Sequence, residues 1–244
     1  MKSKIYNILL RFKHIFPDKI QDFLVDLFFK YLPVYIIMGL VDEFAGYFKH
    51  YLPKTGETVV DAGSWKGHFT VVASRLVGKE GIVIAIEPQM DMYDKLKNRL
   101  KLLRIRNVIL LNRGLYDEDT NKEFAKEETQ SFSVISNNTN CKGKTEVVTL
   151  SKLDTILSEC GVNSVNFIKM DIEGVEVKAL LGANHTLSSS DVNLAIASYH
   201  IVNGERTCFK VEQILQCLGY ATLTEHPSHL TTYAWRNMSS KMHK

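Results

Sequence analysis

A short segment of the chain combines a carboxylate with closely spaced glycines. Asp61 and Gly63 end a short apolar run, and Gly67 follows four positions later, where an amphipathic segment begins. Glycine lets the backbone turn tightly and approach a ligand, because it carries no Cβ. The pattern therefore predicts a strand, a ligand-binding turn and a helix. A glycine-containing turn without a ligand is the alternative.

The spacing within this turn also indicates which ligand it suits. Dinucleotide-binding turns place a second glycine two positions after the first, where this chain has Trp65, a poor neighbour for a pyrophosphate. S-adenosylmethionine (AdoMet) has no phosphate, and its cationic amino-acid part suits the carboxylate of Asp61. The turn therefore favours AdoMet over a dinucleotide.

A second carboxylate ends the next apolar run. Glu87 lies twenty positions after Gly67 (87 − 67 = 20). An acidic residue about 20 positions beyond a nucleotide-binding turn accepts hydrogen bonds from ribose hydroxyls. We therefore expect Glu87 to hold the cofactor ribose, with a surface glutamate at a strand end as the alternative.

A pair of carboxylates, Asp171 and Glu173, follows the apolar run Val165–Met170. In an open α/β sheet, ligands lie at the carboxyl ends of the strands, so this pair is expected at the ligand-binding edge. The same residues could begin a helix, with Asp171 as its N-cap. Because capping and catalysis are compatible, we predict that both residues take part in the function.

His200 lies at the end of the next predicted strand, Val192–Tyr199. A histidine titrates near neutrality, and a carboxylate such as Asp171 or Glu173 can hold it in the tautomer that accepts a proton. His200 is therefore a candidate general base. A histidine that only forms a hydrogen bond at a strand end is the alternative.

The elements that position these residues alternate between short apolar runs and amphipathic segments. This pattern predicts an α/β fold with a mostly parallel sheet and right-handed crossovers. Residues 115–150 depart from it and are predicted to form an inserted hairpin or loop. The last two strands, Ala221–Thr224 and Thr231–Trp235, are predicted to close the sheet in antiparallel fashion.

A helical segment is predicted before the α/β domain. Apolar residues recur at helical spacing through residues 3–32, with a break at Pro17, and a further helix is predicted over residues 34–51. We expect residues 1–54 to form a lid or dimer element, with an amphipathic contact to a membrane surface as the alternative. The domain is assigned to residues 55–236, and the tail 237–244 is expected to fray.

The composition bounds the remaining possibilities. The chain has 244 residues, of which 45% are hydrophobic and 23% are charged, as expected for a single globular core. Its net charge is only +3, and beyond the N-terminus no basic face interleaved with aromatic residues indicates nucleic-acid binding. The four cysteines lack metal-ligand spacing, so we expect a reduced, cytoplasmic protein that contacts a membrane at most peripherally.

Several of these motifs, in this order, resemble the FkbM family of methyltransferases. The resemblance rests on the runs Val59–Phe69, Glu87–Pro88, Thr149–Asp154 and Phe167–Gly182, the last containing Lys-x-Asp-x-Glu-Gly-x-Glu. It implies a class I methyltransferase fold of Rossmann-like type, AdoMet as methyl donor, and O-methylation of a sugar, glycan or small metabolite. In that family the next strand commonly ends in Glu-x-His, whereas here Ser198 replaces the carboxylate and His200 is kept.

The motifs and the resemblance together predict two sets of site residues. The catalytic candidates are Asp171, Glu173 and His200. The expected cofactor contacts are Asp61, Gly63, Ser64, Trp65, Gly67, Phe69, Glu87, Pro88, Gly114 and Asp171.

Other functions and a metal-assisted reaction are the alternatives to this assignment. No metal ion is expected, because two carboxylates and a histidine more often form a hydrogen-bonded cluster. Mg²⁺ bound by Asp171 and Glu173 is the alternative. The alternative functions are a nucleotide-dependent oxidoreductase and a module that binds AdoMet without transferring its methyl group. The sequence does not identify the acceptor or the oligomeric state.

Overall fold

The computed structural model describes residues 18–40, 42–126, 132–134, 145–226 and 228–236. Within these residues, three helices precede the first strand, namely α1 (Asp18–Tyr31), α2 (Val34–Leu40) and α3 (Asp42–Tyr47). Pro33 separates α1 from α2, where a proline prevents the helix from continuing. The predicted break at Pro17, the helix before it and the predicted tail 237–244 lie outside the described residues.

Strands and helices then alternate through the body of the chain. The first half contains β1 (Thr58–Ala62), α4 (His68–Val77), β2 (Ile82–Ile86), α5 (Met90–Leu103), β3 (Val108–Leu111), β4 (Gly114–Leu115), β5 (Thr120–Lys126), β6 (Phe132–Val134) and β7 (Thr145–Ser151). The second half contains α6 (Leu153–Glu159), β8 (Phe167–Met170), α7 (Glu176–Leu181), α8 (Asn184–Ser189), β9 (Asn193–Ala197), β10 (Ile201–Val202), β11 (Glu205–Arg206), α9 (Thr207–Cys217), β12 (Ala221–Glu225) and β13 (Thr231–Trp235).

The central sheet has seven strands in the order β12-β13-β9-β8-β1-β2-β3. The five strands from β9 to β3 are parallel, whereas β13 runs antiparallel to both β9 and β12. This confirms the predicted mostly parallel α/β sheet with an antiparallel end. The strand order reverses between β1 and β8, and ligands bind in the crevice that such a reversal opens.

The segment predicted as an inserted hairpin or loop is a second, four-stranded sheet in the order β4-β7-β5-β6. Strand β5 pairs antiparallel with β7, from Thr120 opposite Leu150 to Ala125 opposite Thr145. The sequence of β5 is mostly polar, TNKEFAK, so its apolar alternation is too weak to indicate a strand. The strand β5 forms by pairing with β7, which lies about twenty residues further along the chain, so local sequence does not indicate it.

The N-terminal helices pack against one face of the central sheet. Aromatic and aliphatic residues of this segment share a buried cluster with the sheet and α4, including Phe29, Ile37, Phe44, Tyr47 and Phe48 together with Phe69 and Phe167. A buried ion pair between Asp26 and Arg99 also joins α1 to α5. Among the helices that the structure describes, none combines the length and apolar character that crossing a membrane requires.

Candidate active site

The turn after β1 lies directly against the loop after β8. Gly63 has φ +75°, and a Cβ built on it would lie 1.9 Å from the carbonyl oxygen of Asp171. The backbone N–H of Asp171 also donates to the carbonyl of Ala62 at 3.0 Å. Gly63 is therefore required both by its left-handed backbone and by the close approach of a neighbouring strand.

The carboxylate of Glu87 is anchored by backbone N–H groups at the same edge. Trp65, which has φ +46°, donates its N–H to Oε2 at 2.6 Å, and Gln89 donates to Oε1 at 2.9 Å. Burial raises the pKa of Glu87 to about 7, although both hydrogen bonds oppose this shift. A carboxylate oxygen has two lone pairs, so each oxygen of Glu87 has a further acceptor position for a ligand hydroxyl.

Asp61 lies beneath the turn rather than at its surface. Its side chain is fully buried, accepts a hydrogen bond from the Thr70 hydroxyl at 2.6 Å and pairs with Lys169 Nζ at 3.1 Å. Lys169 also donates to the carbonyl of Gly63 at 2.7 Å. Asp61 thus supports the turn from below.

Three carboxylates surround His200 on the other side of the turn. Its Nε2 lies 3.3 Å from Glu173 Oε2 and 3.8 Å from Asp171 Oδ1, and its Nδ1 lies 2.9 Å from Glu176 Oε1. Burial lowers the pKa of His200, but the interactions with Glu173 and Glu176 outweigh it and raise the pKa to about 10. With these neighbours alone, His200 is a cation at neutral pH.

The loop that carries these carboxylates is held in an uncommon backbone conformation. Glu173 has φ +58°, and the following Gly174 has φ +99°. The side chain of Glu176 accepts the N–H of Gly174 at 3.0 Å and that of Ile172 at 3.4 Å, at the start of α7. These bonds fix the loop, so the half-exposed Glu173 is positioned beside His200.

A chain of hydrogen bonds reaches Asp171 from two distant segments. The Tyr47 hydroxyl donates to Asp171 Oδ2 at 2.9 Å, and His229 Nε2 lies 3.0 Å from the same hydroxyl. Because Tyr47 has a single proton and a carboxylate only accepts, His229 donates from Nε2. Its Nδ1 then accepts from Ser228 at 3.0 Å. Burial lowers the pKa of His229, which agrees with a neutral ring.

Comparison with known proteins identifies the domain that carries this geometry. The sequence profile of the methyltransferase FkbM domain matches residues 61–223, which is more than half of the chain. The chain belongs to the FkbM methyltransferase family. Its cofactor is AdoMet, in agreement with the turn at Gly63 and with the family resemblance.

Solved structures support the methyltransferase fold. The methyltransferase FkbM from Methylobacillus flagellatus KT superposes with a TM-score of 0.60 at 19% identity, covering 83% of this chain and 53% of that protein. This chain therefore spans about half the length of that protein. The precorrin-6y C5,15-methyltransferase from Geobacter metallireducens GS-15 gives a TM-score of 0.50 at 13% identity, covering 76% of this chain and 82% of that one. No curated protein matches the chain.

The predicted cofactor residues of this FkbM methyltransferase divide into two groups. Gly63, Trp65, Pro88 and Asp171 are at least partly exposed. Glu87 is buried, but its carboxylate accepts the N–H groups of Trp65 and Gln89 at the turn. The others are buried. Asp61 lies in β1 beneath the turn, and Ser64 lies within the turn. Phe69 packs between Tyr47 and Phe167, and Gly67 and Gly114 pack closely against Leu96 and Leu150 respectively.

Sequence reasoning did not assign roles to four residues that shape this FkbM methyltransferase site. Lys169 and Glu176 belong to the Lys-x-Asp-x-Glu-Gly-x-Glu motif, which could have indicated them. Tyr47 and His229 belong to no motif, and only the fold brings them to Asp171.

His200 has acidic neighbours, although Ser198 stands where the family commonly has a carboxylate. The hydroxyl of Ser198 is buried and bonds to Thr232 at 2.8 Å. The carboxylates close to His200 come instead from the loop after β8 and from α7, through Glu173 and Glu176. These two carboxylates make the surroundings of His200 acidic.

Proposed function

We propose that this chain transfers the methyl group of AdoMet to a hydroxyl oxygen of a sugar, glycan or small metabolite. In this reaction the acceptor O–H loses its proton, an O–CH₃ bond forms, and the S–CH₃ bond of the sulfonium breaks. The products are a methyl ether, S-adenosylhomocysteine and one proton. The displacement is in line, so the protein contributes mainly by aligning the donor and acceptor and by excluding water.

The arrangement of acidic groups around the Gly63 turn carries this proposal. Glu87 lies on one side of the turn, with acceptor positions suited to ribose hydroxyls. Asp171 and Glu173 lie on the other side, at the end of the adjacent strand β8. A cofactor seated over Gly63 would therefore direct its methyl group toward carboxylates that can bind a hydroxyl and accept its proton.

Asp171 is the favoured general base of the cluster. Both ring nitrogens of His200 face carboxylates, which offer no proton and leave the imidazole with no open side toward an acceptor. Asp171 is held by Tyr47 through Oδ2, which leaves Oδ1 to face the cluster. The sequence made His200 a candidate base. We propose instead that His200 orients the carboxylates of the cluster and contributes to its charge.

The surface next to the cluster exposes apolar side chains, which favours an acceptor that has an apolar side. The hairpin β10–β11 follows His200, and its Ile201 and Val202 are exposed, as are the neighbouring Tyr199 and Phe209. Val202 also packs close to Gly174, so the hairpin borders the loop that carries the carboxylates. A sugar combines hydroxyl groups with an apolar ring face and fits both features.

Two titrations and one transfer assay test the proposal. S-adenosylhomocysteine should bind the full chain in a calorimeter, whereas NAD should not, which separates a methyltransferase from an oxidoreductase. Labelled methyl from AdoMet should then appear in a glycan or metabolite extract, and Asp171→Asn should reduce that transfer by about 10²–10⁴. Binding without transfer to any hydroxyl-bearing extract would instead indicate a module that only binds AdoMet.

A further inference from the structure

Two buried polar atoms converge on one point of the acceptor side. Within the described residues, Nε2 of His200 and Oδ1 of Asp171 are buried and have no aligned hydrogen bond, although they lie 3.8 Å apart. The His200 side chain is only 10% exposed, and its Nε2 faces both Asp171 and Glu173. Buried polar groups almost always have a partner, so such a set points to a bound water or ion between them.

The donor atoms are close enough to share one metal ion. One ligand atom each from Asp171, Glu173 and His200 lies within 4.8 Å of the others. Bonds of about 2.0–2.6 Å to a common ion would place neighbouring donors about 3–4 Å apart, so only small side-chain movements are needed. The cluster also contains a third carboxylate, Glu176, and this excess of negative charge favours a cation.

The surroundings of His200 match those of a metal-binding histidine. Such a histidine usually donates its other ring N–H to a carboxylate, which fixes the tautomer and directs the remaining nitrogen at the ion. Here Nδ1 lies 2.9 Å from Glu176, a fully buried residue that the N–H of Gly174 holds in place. That arrangement directs Nε2 toward Asp171 and Glu173.

We infer that Asp171, Glu173 and His200 bind a divalent metal ion, which holds the acceptor oxygen and lowers the pKa of its hydroxyl. Asp171 then acts on the acceptor through the ion instead of as a free base. Carboxylate donors suit Mn²⁺ or Mg²⁺, and the imidazole favours a transition-metal ion, so Mn²⁺ fits this set best. The ion replaces the proton that His200 otherwise carries on Nε2. This inference reverses the expectation of no metal ion, because the sequence did not reveal the support from Glu176.

The open part of the coordination shell indicates the substrate class. Three protein donors leave about half of an octahedral shell for water or substrate. An acceptor with two adjacent oxygens, such as the vicinal diol of a sugar, would fill two of these positions and place one oxygen for methylation. This part of the inference rests on the proposed function, whereas the metal site itself does not.

Mn²⁺ binding to the full chain tests the site without any substrate. Free Mn²⁺ is measured by electron paramagnetic resonance during a titration, and one bound ion per chain is expected. Glu173→Gln should weaken binding at least about tenfold, and Glu176→Gln, which removes the support of His200, about 10–100-fold. Glu173 is 45% exposed, so its substitution should leave the fold intact. Asp117→Asn, at a carboxylate paired with Lys178 elsewhere, is the control and should bind like wild type.

Two results would overturn the inference, namely no Mn²⁺ binding to the wild type, or equal binding by Glu173→Gln and Asp117→Asn. Different results would contradict the proposed function. If S-adenosylhomocysteine binds and methyl transfer persists in excess chelator, the metal site is wrong and the methyltransferase stands. If Mn²⁺ binds at this site but neither S-adenosylhomocysteine binding nor methyl transfer occurs, the metal site stands alone.

Discussion

The phenol of Tyr47, in the last turn of α3, donates a hydrogen bond of 2.9 Å to Oδ2 of Asp171, at the end of β8. This contact makes the N-terminal helices part of the acceptor side of the site rather than a separate appendage. It also means that the orientation of the favoured base depends on a segment outside the matched family domain, which begins at residue 61.

Tyr47→Phe should slow methyl transfer while leaving the cofactor bound. The substitution keeps the buried ring and removes the hydroxyl, which donates to Asp171 and accepts from His229. The lost bond to Asp171 costs about 0.5–1.5 kcal/mol in orientation. The turnover number should therefore fall up to about tenfold, with unchanged affinity for S-adenosylhomocysteine. Tyr51→Phe is the matched control, because its hydroxyl bonds to Glu57 away from the site. Equal rates for the two variants would show that the Tyr47 contact has no part in catalysis.

Glu87→Ala should weaken cofactor binding with little effect on the fold. It removes the acceptor of the Trp65 and Gln89 N–H groups and, on our assignment, of the ribose hydroxyls. We expect a loss of about 1–3 kcal/mol in S-adenosylhomocysteine binding, measured by calorimetry. Glu159→Ala, at an exposed carboxylate paired with Arg113, serves as the control. If the Glu87 variant binds as tightly as wild type, the ribose lies elsewhere.

The raised pKa of Glu87 predicts a pH dependence of stability. The folded chain retains the Glu87 proton up to about pH 7, whereas the unfolded chain loses it near 4.5. Between these values the folded state binds more protons, so the contribution of Glu87 to the free energy of unfolding falls as pH rises. Glu87→Gln removes this dependence, on the order of 3 kcal/mol across the window. Denaturant unfolding of both proteins at pH 5 and pH 8 measures it, and an identical pH dependence in the two would contradict the prediction.

Gly63→Ala should destabilise the protein far more than Gly56→Ala. Both glycines have positive φ, but only at Gly63 does an added Cβ meet another backbone, 1.9 Å from the Asp171 carbonyl. The left-handed conformation alone costs about 1–2 kcal/mol, which is the loss expected for Gly56→Ala. The difference measures the contact between the turn and the β8 loop. Similar melting temperatures for the two variants would indicate that this approach is not tight.

Lys169→Met should cost about 3–5 kcal/mol of stability, because Asp61 would stay buried without its cation. Adding Asp61→Asn should recover a large part of the loss, since the unpaired charge is then gone. A double-mutant cycle by denaturant unfolding measures the coupling. Additive effects of the two substitutions would mean that the pair contributes no interaction energy.

The order and type of most elements are determined locally, and the sequence therefore predicted them. The predicted bounds of β13 match those of the structure, and those of β12 differ by one residue, because the apolar periodicity of these strands is strong. The short helix α8, the hairpin β10–β11 and the polar strand β5 were not predicted. Their residues form these elements through contacts with neighbours, which local periodicity does not reveal.

The candidate site shows the same division. Gly63, Glu87 and Asp171 each follow a predicted parallel strand, so the topology alone brings them to one edge of the sheet. Tyr47 lies 124 positions from Asp171 and 182 from His229, and no sequence pattern connects residues at such distances. Only the packing of α3 and of the β12–β13 loop onto the sheet edge joins them. The sequence alone thus determined which residues lie at the ligand-binding edge of the sheet. Tertiary packing decided which side chains hold Asp171 in place, because Tyr47 and His229 are far from it in the chain.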